Sequence, residues 1–510
     1  VRRPPEKSMP FHVCYYAADA SQTLLEKAIA AKDKKMLKEL VEGAENSLSM
    51  WQEIRKAPFF IHKVVRTGDV ELVSLVLQAC ARLYDRGYFT KGYFLFPLEE
   101  AVKTGSIQVA KLLLEAAQKV GIPLRQLPLL HAAAEGKNFE VTEFLLKEGF
   151  DVDGLNCYGE TPLVYLVRQS IEESEEAVQM AAFLIKKGAS VVARDSKGFT
   201  ALHYAARNGN NSLLRLLLAA GAVPGAAARY YFVTPLMYAA ERLNLEAVRM
   251  LVEEGADLEA LDREGCGALE YALRGKKGTE PQQVERVVSC LLEAGARARW
   301  PLTVFYAVTS NQAGALRLLL KNLGLKGDAA KTGSLFIKAV AEGNLEAAEV
   351  LLEYGADVNS RDESGESALI KAIKLCRSDR RMIETVRFLL ERGAAANAAD
   401  AAGKPPLFYA LEVCDGDISV LAEMMVRFGA DVNFCGWEGL TPLEYLSRLQ
   451  EKQPWQEKKE AAAVLFEAGA VWRGGGPLPP FLAEAQEEAR RRLIARRITR
   501  AVSRNRVFRI

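Results

Sequence analysis

A chain of 510 residues with a net charge of +2 and 26% charged residues is neither a polycation that coats nucleic acid nor an acidic mimic of one. Its eight cysteines contain no C-x-x-C pair and, with Cys80 and Cys290 on apolar helix faces, read as reduced core residues of a reducing interior, the cytoplasm. No apolar run approaches the roughly 18 residues of a membrane span and no convincing signal peptide is present, while the start at Val1 leaves processing, and a secreted role, open.

Val1 to Ala20 is an arm, first polar with Pro4, Pro5 and Pro10 and then apolar from Phe11 to Tyr16, that either lies on the following segment or is a disordered end. From there one unit recurs. Its starts fall at Thr23, Phe59, Phe96, Pro128, Thr161, Thr200, Thr234, Gly267, Leu302, Ser334, Ser367, Pro405 and Thr441, at spacings of 32 to 39 residues. The clearest copy runs from Thr234 to Gly265. Thr234 and Pro235 suit a helix start, a hydroxyl capping free backbone donors and a proline fitting the first turn. A second helix from Asn244 places Leu245, Val248, Leu251 and Val252 on one stripe. Gly255 stops it, and an extended finger follows, with a turn at Asp262 to Gly265. Helix pairs this short bury their apolar faces only against one another, so the copies must stack into a repeat array.

TALHYAARNG at Thr200–Gly209, EGNLEAAEVLLEYGADVN at Glu342–Asn359 and TPLEYL at Thr441–Leu446 resemble ankyrin repeats, whose period is about 33 residues. The resemblance covers Ser21 to Arg473. It implies an all-α ankyrin-repeat solenoid, here of about 13 helix-turn-helix units with β-hairpin-like finger loops, that binds other proteins and has no catalytic chemistry. No catalytic residue, cofactor or metal is expected. His62, His131 and His203 take the fourth place of the family's T-P-L-H motif, where the resemblance implies a structural hydrogen bond between neighbouring units. Only His12 is left outside it.

Cys80 to Phe96 replaces a finger with an aromatic-rich stretch that is either a docking patch or the packing of enlarged fingers. A spine of Tyr165, Tyr204, Tyr238, Tyr271, Tyr306, Tyr409 and Tyr445 reads as a stacking platform or as core wall between first helices. The slots that line the family's concave groove hold Arg66, Lys103, Arg168, Arg207, Arg242, Arg274, Lys374 and Arg448, interrupted by Glu241 and Glu412, and would favour a protein partner with an acidic segment. The finger tips add Tyr158, Phe199, Tyr230, Tyr231, Arg263 and Trp437. Tyr230, Tyr231 and Phe232 stand where the family usually has an Asp-x-x-Gly turn, and two consecutive tyrosines at a tip make this the leading hot spot. Insertions at Gln169–Glu176, Gly275–Gln283, Arg377–Arg381, Val413–Asp417 and Gln450–Lys459 lie along one rim. They share no charge sign, which favours tolerated loops over a second binding edge. LRGKKGTEP at Leu273–Pro281 lacks the spacing of a phosphate loop.

GGGPLPP at Gly474–Pro480 separates the repeats, residues 21–473, from a C-terminal helix, residues 481–510. That segment carries nine arginines and three glutamates, a net of +6. Leu482, Ala485, Ala489 and Leu493 suit a cap on the last repeat, after which Ile494, Ile498, Ala501 and Val502 oppose Arg496, Arg497, Arg500 and Arg504. With Arg490 and Arg491, these form a basic amphipathic helix that caps the array or binds an anionic membrane, nucleic acid or a partner's groove.

Overall fold

Two kinds of helix cap alternate along the chain in its computed structural model, which describes residues 92–104, 106–119, 121–274, 280–413, 418–435, 438–449 and 455–507 with scattered positions between 31 and 77. Five of the described first helices open on a hydroxyl, others on Pro128, Gly267, Pro301, Asp328 or Pro405. Thr161 Oγ1 accepts from the Val164 N–H at 3.3 Å, Ser367 Oγ from Ile370 at 3.3 Å and Thr441 Oγ1 from Glu444 at 3.4 Å. Second helices open on asparagine, as where Asn210 Oδ1 accepts from Leu213 at 2.9 Å and Asn244 Oδ1 from Ala247 at 3.1 Å. Each cap contributes about 1 kcal/mol. The asparagine also reaches backwards, for Asn138, whose Oδ1 accepts from Val141 at 3.2 Å, donates its Nδ2 to the Val102 carbonyl at 3.2 Å in the preceding pair. One side chain thus starts its own helix and ties it to its neighbour.

The chain divides into two compact units, Val1–Tyr230 and Tyr231–Ile510. The first contains α1 (Gly92–Thr104), α2 (Ile107–Lys119), α3 (Leu129–Glu135), α4 (Phe139–Lys147), α5 (Pro162–Gln169), α6 (Glu175–Lys186), α7 (Ala201–Asn208) and α8 (Asn211–Ala219). The second begins with α9 (Pro235–Glu241), α10 (Leu245–Glu253), α11 (Ala268–Leu273), α12 (Pro281–Glu293), α13 (Leu302–Thr309), α14 (Ala313–Asn322), α15 (Ala329–Glu342) and α16 (Leu345–Glu353). It continues through α17 (Ala368–Leu375), α18 (Met382–Glu391), α19 (Pro406–Ala410), α20 (Ile418–Arg427), α21 (Pro442–Arg448), α22 (Trp455–Glu467) and α23 (Pro480–Val507). The repeat period runs unbroken past Tyr230, so nothing in the spacing marks this division.

Inside each unit, first helices contact first helices and second helices contact second helices. The fold is all-α, a stack of helix pairs in each unit. Leu213, Leu214 and Leu217 of α8 and Val284, Val287, Val288 and Leu291 of α12 are fully buried, each contributing about 2 kcal/mol. In α10 the buried set is Ala247, Val248 and Leu251, whereas Leu245 and Val252 sit at its edge. The stripe is narrower than its pattern implied because alanine carries the closest approach. The first repeats, the arm and Cys80–Lys91 lie largely outside the described residues, as do Arg66, His12, His62, Trp437 and parts of three insertions.

His131 performs the role its motif implied. Its Nε2 donates at 2.8 Å to the carbonyl of Glu160, the residue just before the next unit start at Thr161, which leaves Nδ1 buried without a partner. Burial lowers its pKa from 6.5, opposed by that hydrogen bond. The folded state therefore refuses a proton that the unfolded chain accepts near pH 6.5, and this contribution to stability is present above that pH and lost as pH falls below it. Urea midpoints of wild type and His131→Gln, measured from pH 7.5 to 5.5, are expected to converge as the pH falls.

Candidate functional site

Each regular finger is closed by an acidic or amide side chain five residues before the next first helix. Asp195 Oδ1 accepts from the Lys197 and Phe199 N–H groups at 2.9 and 2.8 Å, and Asp262 Oδ1 accepts from Glu264 and Cys266 at 2.8 Å each. The other oxygen is gripped by the first helix, for Tyr204 donates to Asp195 Oδ2 at 2.6 Å and Tyr271 to Asp262 Oδ2 at 2.9 Å. Tyr409 and Asp400 repeat the grip, and Lys371 replaces tyrosine against Asp362 at 2.7 Å. Burial, and then the carboxylate hydrogen bond, push the Tyr204 and Tyr271 phenols well above their ordinary range. Three of the spine tyrosines, Tyr204, Tyr271 and Tyr409, are thus finger clamps, whereas Tyr165 donates to Glu135 at 3.1 Å and Tyr306 accepts from Arg274 at 3.1 Å. Among the described residues the fingers form no strand, only an isolated bridge between Arg361 and Ser367, because these side chains replace a ladder.

A glycine in the left-handed conformation completes each of these turns. Gly198 has φ +85°, and a Cβ there would meet the Arg229 nitrogen at 2.4 Å. The finger at Arg229–Val233 breaks the pattern. Arg229 replaces the turn-closing Asp, and Phe232 takes the glycine slot with φ 55°. A bulky side chain there costs about 1 kcal/mol or more. Burial does not offset that cost, for Tyr230, Tyr231 and Phe232 are 56%, 56% and 52% exposed. In the second unit Arg263, also exposed, donates its backbone N–H to the Tyr231 carbonyl at 3.0 Å.

The remaining candidates separate on burial. Tyr158 is exposed at a tip of the first unit. Phe199 is not available to a partner: it is 7% exposed and packs edge-on against His203 and Tyr204. Its place just before the helix start turns it inward. Arg168 is also committed internally, its Nε lying 2.6 Å from the buried Glu160 carboxylate. The basic slots repeat this arrangement. Lys374 pairs with Glu366, Lys103 with Glu135 at 2.6 Å, and Arg274 with Glu264 at 2.8 Å. At Lys404 and Glu412 the signs are exchanged, which explains why an acid interrupts the series there. The slot serves charge pairs first, so a uniformly basic groove does not form. Arg207 and Arg242 are exposed.

Sequence reasoning missed Glu270. At the place of the T-P-L-H histidine it is 1% exposed, accepting from the Gly267 N–H at 2.8 Å and Arg299 Nη2 at 2.6 Å, with Thr303 on its other oxygen. The acid three residues into a helix after Gly267 was the only sequence signal. Asp262, Glu264 and Cys266 bring potential metal ligands within 4.8 Å of one another. Their acceptors already serve Tyr271 and Arg274, whose guanidinium Nη2 lies 3.1 Å from Cys266 Sγ. Cys376 is buried like Cys266, Cys290 is half-buried and Cys157 and Cys435 are exposed.

At the C-terminal end, α23 buries Phe481, Leu482, Ala485 and Ala489. Lys459 of α22 lies 3.6 Å from Glu484, and Glu467 receives Arg492 at 3.5 Å and Arg496 at 2.8 Å. Arg490, Arg491 and Arg497 are exposed, and Arg500 and Arg504 lie on the same helix. Among the described residues no helix is long and apolar enough to cross a membrane.

Family models described as ankyrin repeats in three copies match residues 98–195, 129–228, 304–400 and 335–434, and one described as a single ankyrin repeat matches 233–263. An ankyrin repeat protein of fowlpox virus is 26% identical over 325 residues, 54% of this chain and 55% of that one. The human transient receptor potential cation channel subfamily A member 1 is 25% identical over 250 residues, 45% of this chain and 21% of the channel. A human palmitoyltransferase is 29% identical over 188 residues, 36% of this chain and 30% of the enzyme. The chain therefore spans about half, or less, of the length of these relatives.

Proposed function

This chain belongs to the ankyrin-repeat family, and on that premise we propose that it is a non-enzymatic scaffold or adaptor that docks a protein partner on its finger tips. Ankyrin repeats are generally protein-interaction modules. The docking residues proposed are Tyr231, Phe232 and Arg263 of the second unit; Tyr158 and Tyr230, on the first, are proposed separately as exposed aromatic tips of that unit. The observation that carries the reading is Phe232, an aromatic side chain in a strained left-handed turn that remains half exposed. Strain without burial is retained where the side chain is used, and exposed tyrosine and arginine are the residues that anchor interfaces. Arg263 beside them suits a partner with an acidic segment. We place the protein in the cytoplasm, monomeric until it meets its partner.

The test is affinity capture from a matched lysate, comparing the full chain with a Tyr230→Ala, Tyr231→Ala double variant by quantitative mass spectrometry. A protein retained by wild type and depleted at least tenfold by the variant is the expected result. An identical set of retained proteins would remove the finger tips from the reading.

A further inference from the structure

We infer that the segment of α23 from Arg490 to Val507 lies on an anionic lipid surface, with Ile494 as its inserting residue. The argument is independent of the finger-tip reading. It rests on a change of face within one helix. Phe481, Leu482, Ala485 and Ala489 are buried and follow helical spacing, so they mark the side turned toward the repeats. Continued by three, four and seven residues from Ala489, that side carries Arg492, Leu493 and Arg496; Leu493, expected in the cap, is 38% exposed, and both arginines reach Glu467. Beyond Ala489 the inward face is therefore ionic. The apolar face has rotated outward, where Ile494 is 57% exposed.

By helical spacing in the sequence, positions 498, 501 and 502, which are Ile, Ala and Val, fall in register with Ile494, and arginine positions 490, 497 and 504 recur every seventh residue. The segment would extend about 27 Å, and no described helix is apolar enough to cross a bilayer. An apolar stripe bordered by guanidinium groups, with low overall hydrophobicity, matches a bilayer interface: the aliphatic groups enter the acyl boundary and the arginines stay at the phosphates. A nucleic acid would use the arginines alone. It would give Ile494 nothing for its exposure to water.

The full chain is tested by flotation with phosphatidylcholine vesicles, with vesicles containing about 30% phosphatidylserine, and by binding to a DNA duplex. The expected result is retention by the anionic vesicles only, falling about tenfold in Ile494→Ser and by a similar factor in Arg490→Gln, Arg497→Gln. All three positions are exposed, so the fold is kept, which circular dichroism checks. Absence of flotation, flotation unchanged in Ile494→Ser, or retention by the DNA duplex alone would overturn the proposal.

Discussion

Glu270→Ala is expected to destabilise the unit Tyr231–Ile510 by about 3 kcal/mol, because removing one partner of a buried pair leaves the other charge uncompensated. The carboxylate is shared by the Gly267 N–H, Arg299 and Thr303, so its loss strands three donors together. Arg299 also donates to the Gly265 carbonyl at 2.7 Å, and this second bond holds the guanidinium beside the vacated site although its side chain is 30% exposed. Glu270→Gln keeps the acceptor and removes the charge, and should cost about half as much, since a neutral hydrogen bond is about half as strong as a charge-assisted one. Urea unfolding followed by circular dichroism measures both. In a repeat array the loss is expected near α11 and α13, where hydrogen exchange should quicken first. Midpoints within experimental scatter of wild type for both variants would show that the pair carries no net stability.

Phe232→Gly is expected to move stability and binding in opposite directions. Relieving a left-handed aromatic residue should stabilise the fold by about 1 kcal/mol, while removing an anchor should weaken partner binding by about 2 kcal/mol, or thirtyfold. A thermal melt reads the first effect and titration of the captured partner reads the second. Few substitutions separate a functional residue from a structural one so directly. A variant both less stable and weaker in binding would assign Phe232 to packing.

The helix pairs were legible because each level of the sequence agreed on them: Thr-Pro and Asn at the starts, glycine at the ends and an apolar stripe between. The histidine tie was legible for the same reason. Phe199 was misplaced because residue type alone, an aromatic at a turn, does not show which way the chain faces one residue before a helix. The basic slots were misjudged because Glu160 and Arg168 are eight residues apart, a separation that only the finger's fold turns into contact. Glu270 and Arg299 are 29 residues apart, and neither fits a motif that would have drawn attention to them. For the hot spot, sequence supplied Tyr230, Tyr231 and Phe232, whereas the strain at Phe232 needed backbone angles.

The exchanged pair Lys404 and Glu412 bears on how such an array can grow. Finger base and helix acid are only eight residues apart but straddle the unit start at Pro405, so the first helix of one repeat has to match the charge on the finger of the repeat before it. Joining such a unit to one of the opposite polarity, such as that of Glu366 and Lys374, would set two lysines or two glutamates face to face in a half-buried slot. Neighbouring repeats are therefore interchangeable only where their charge order agrees.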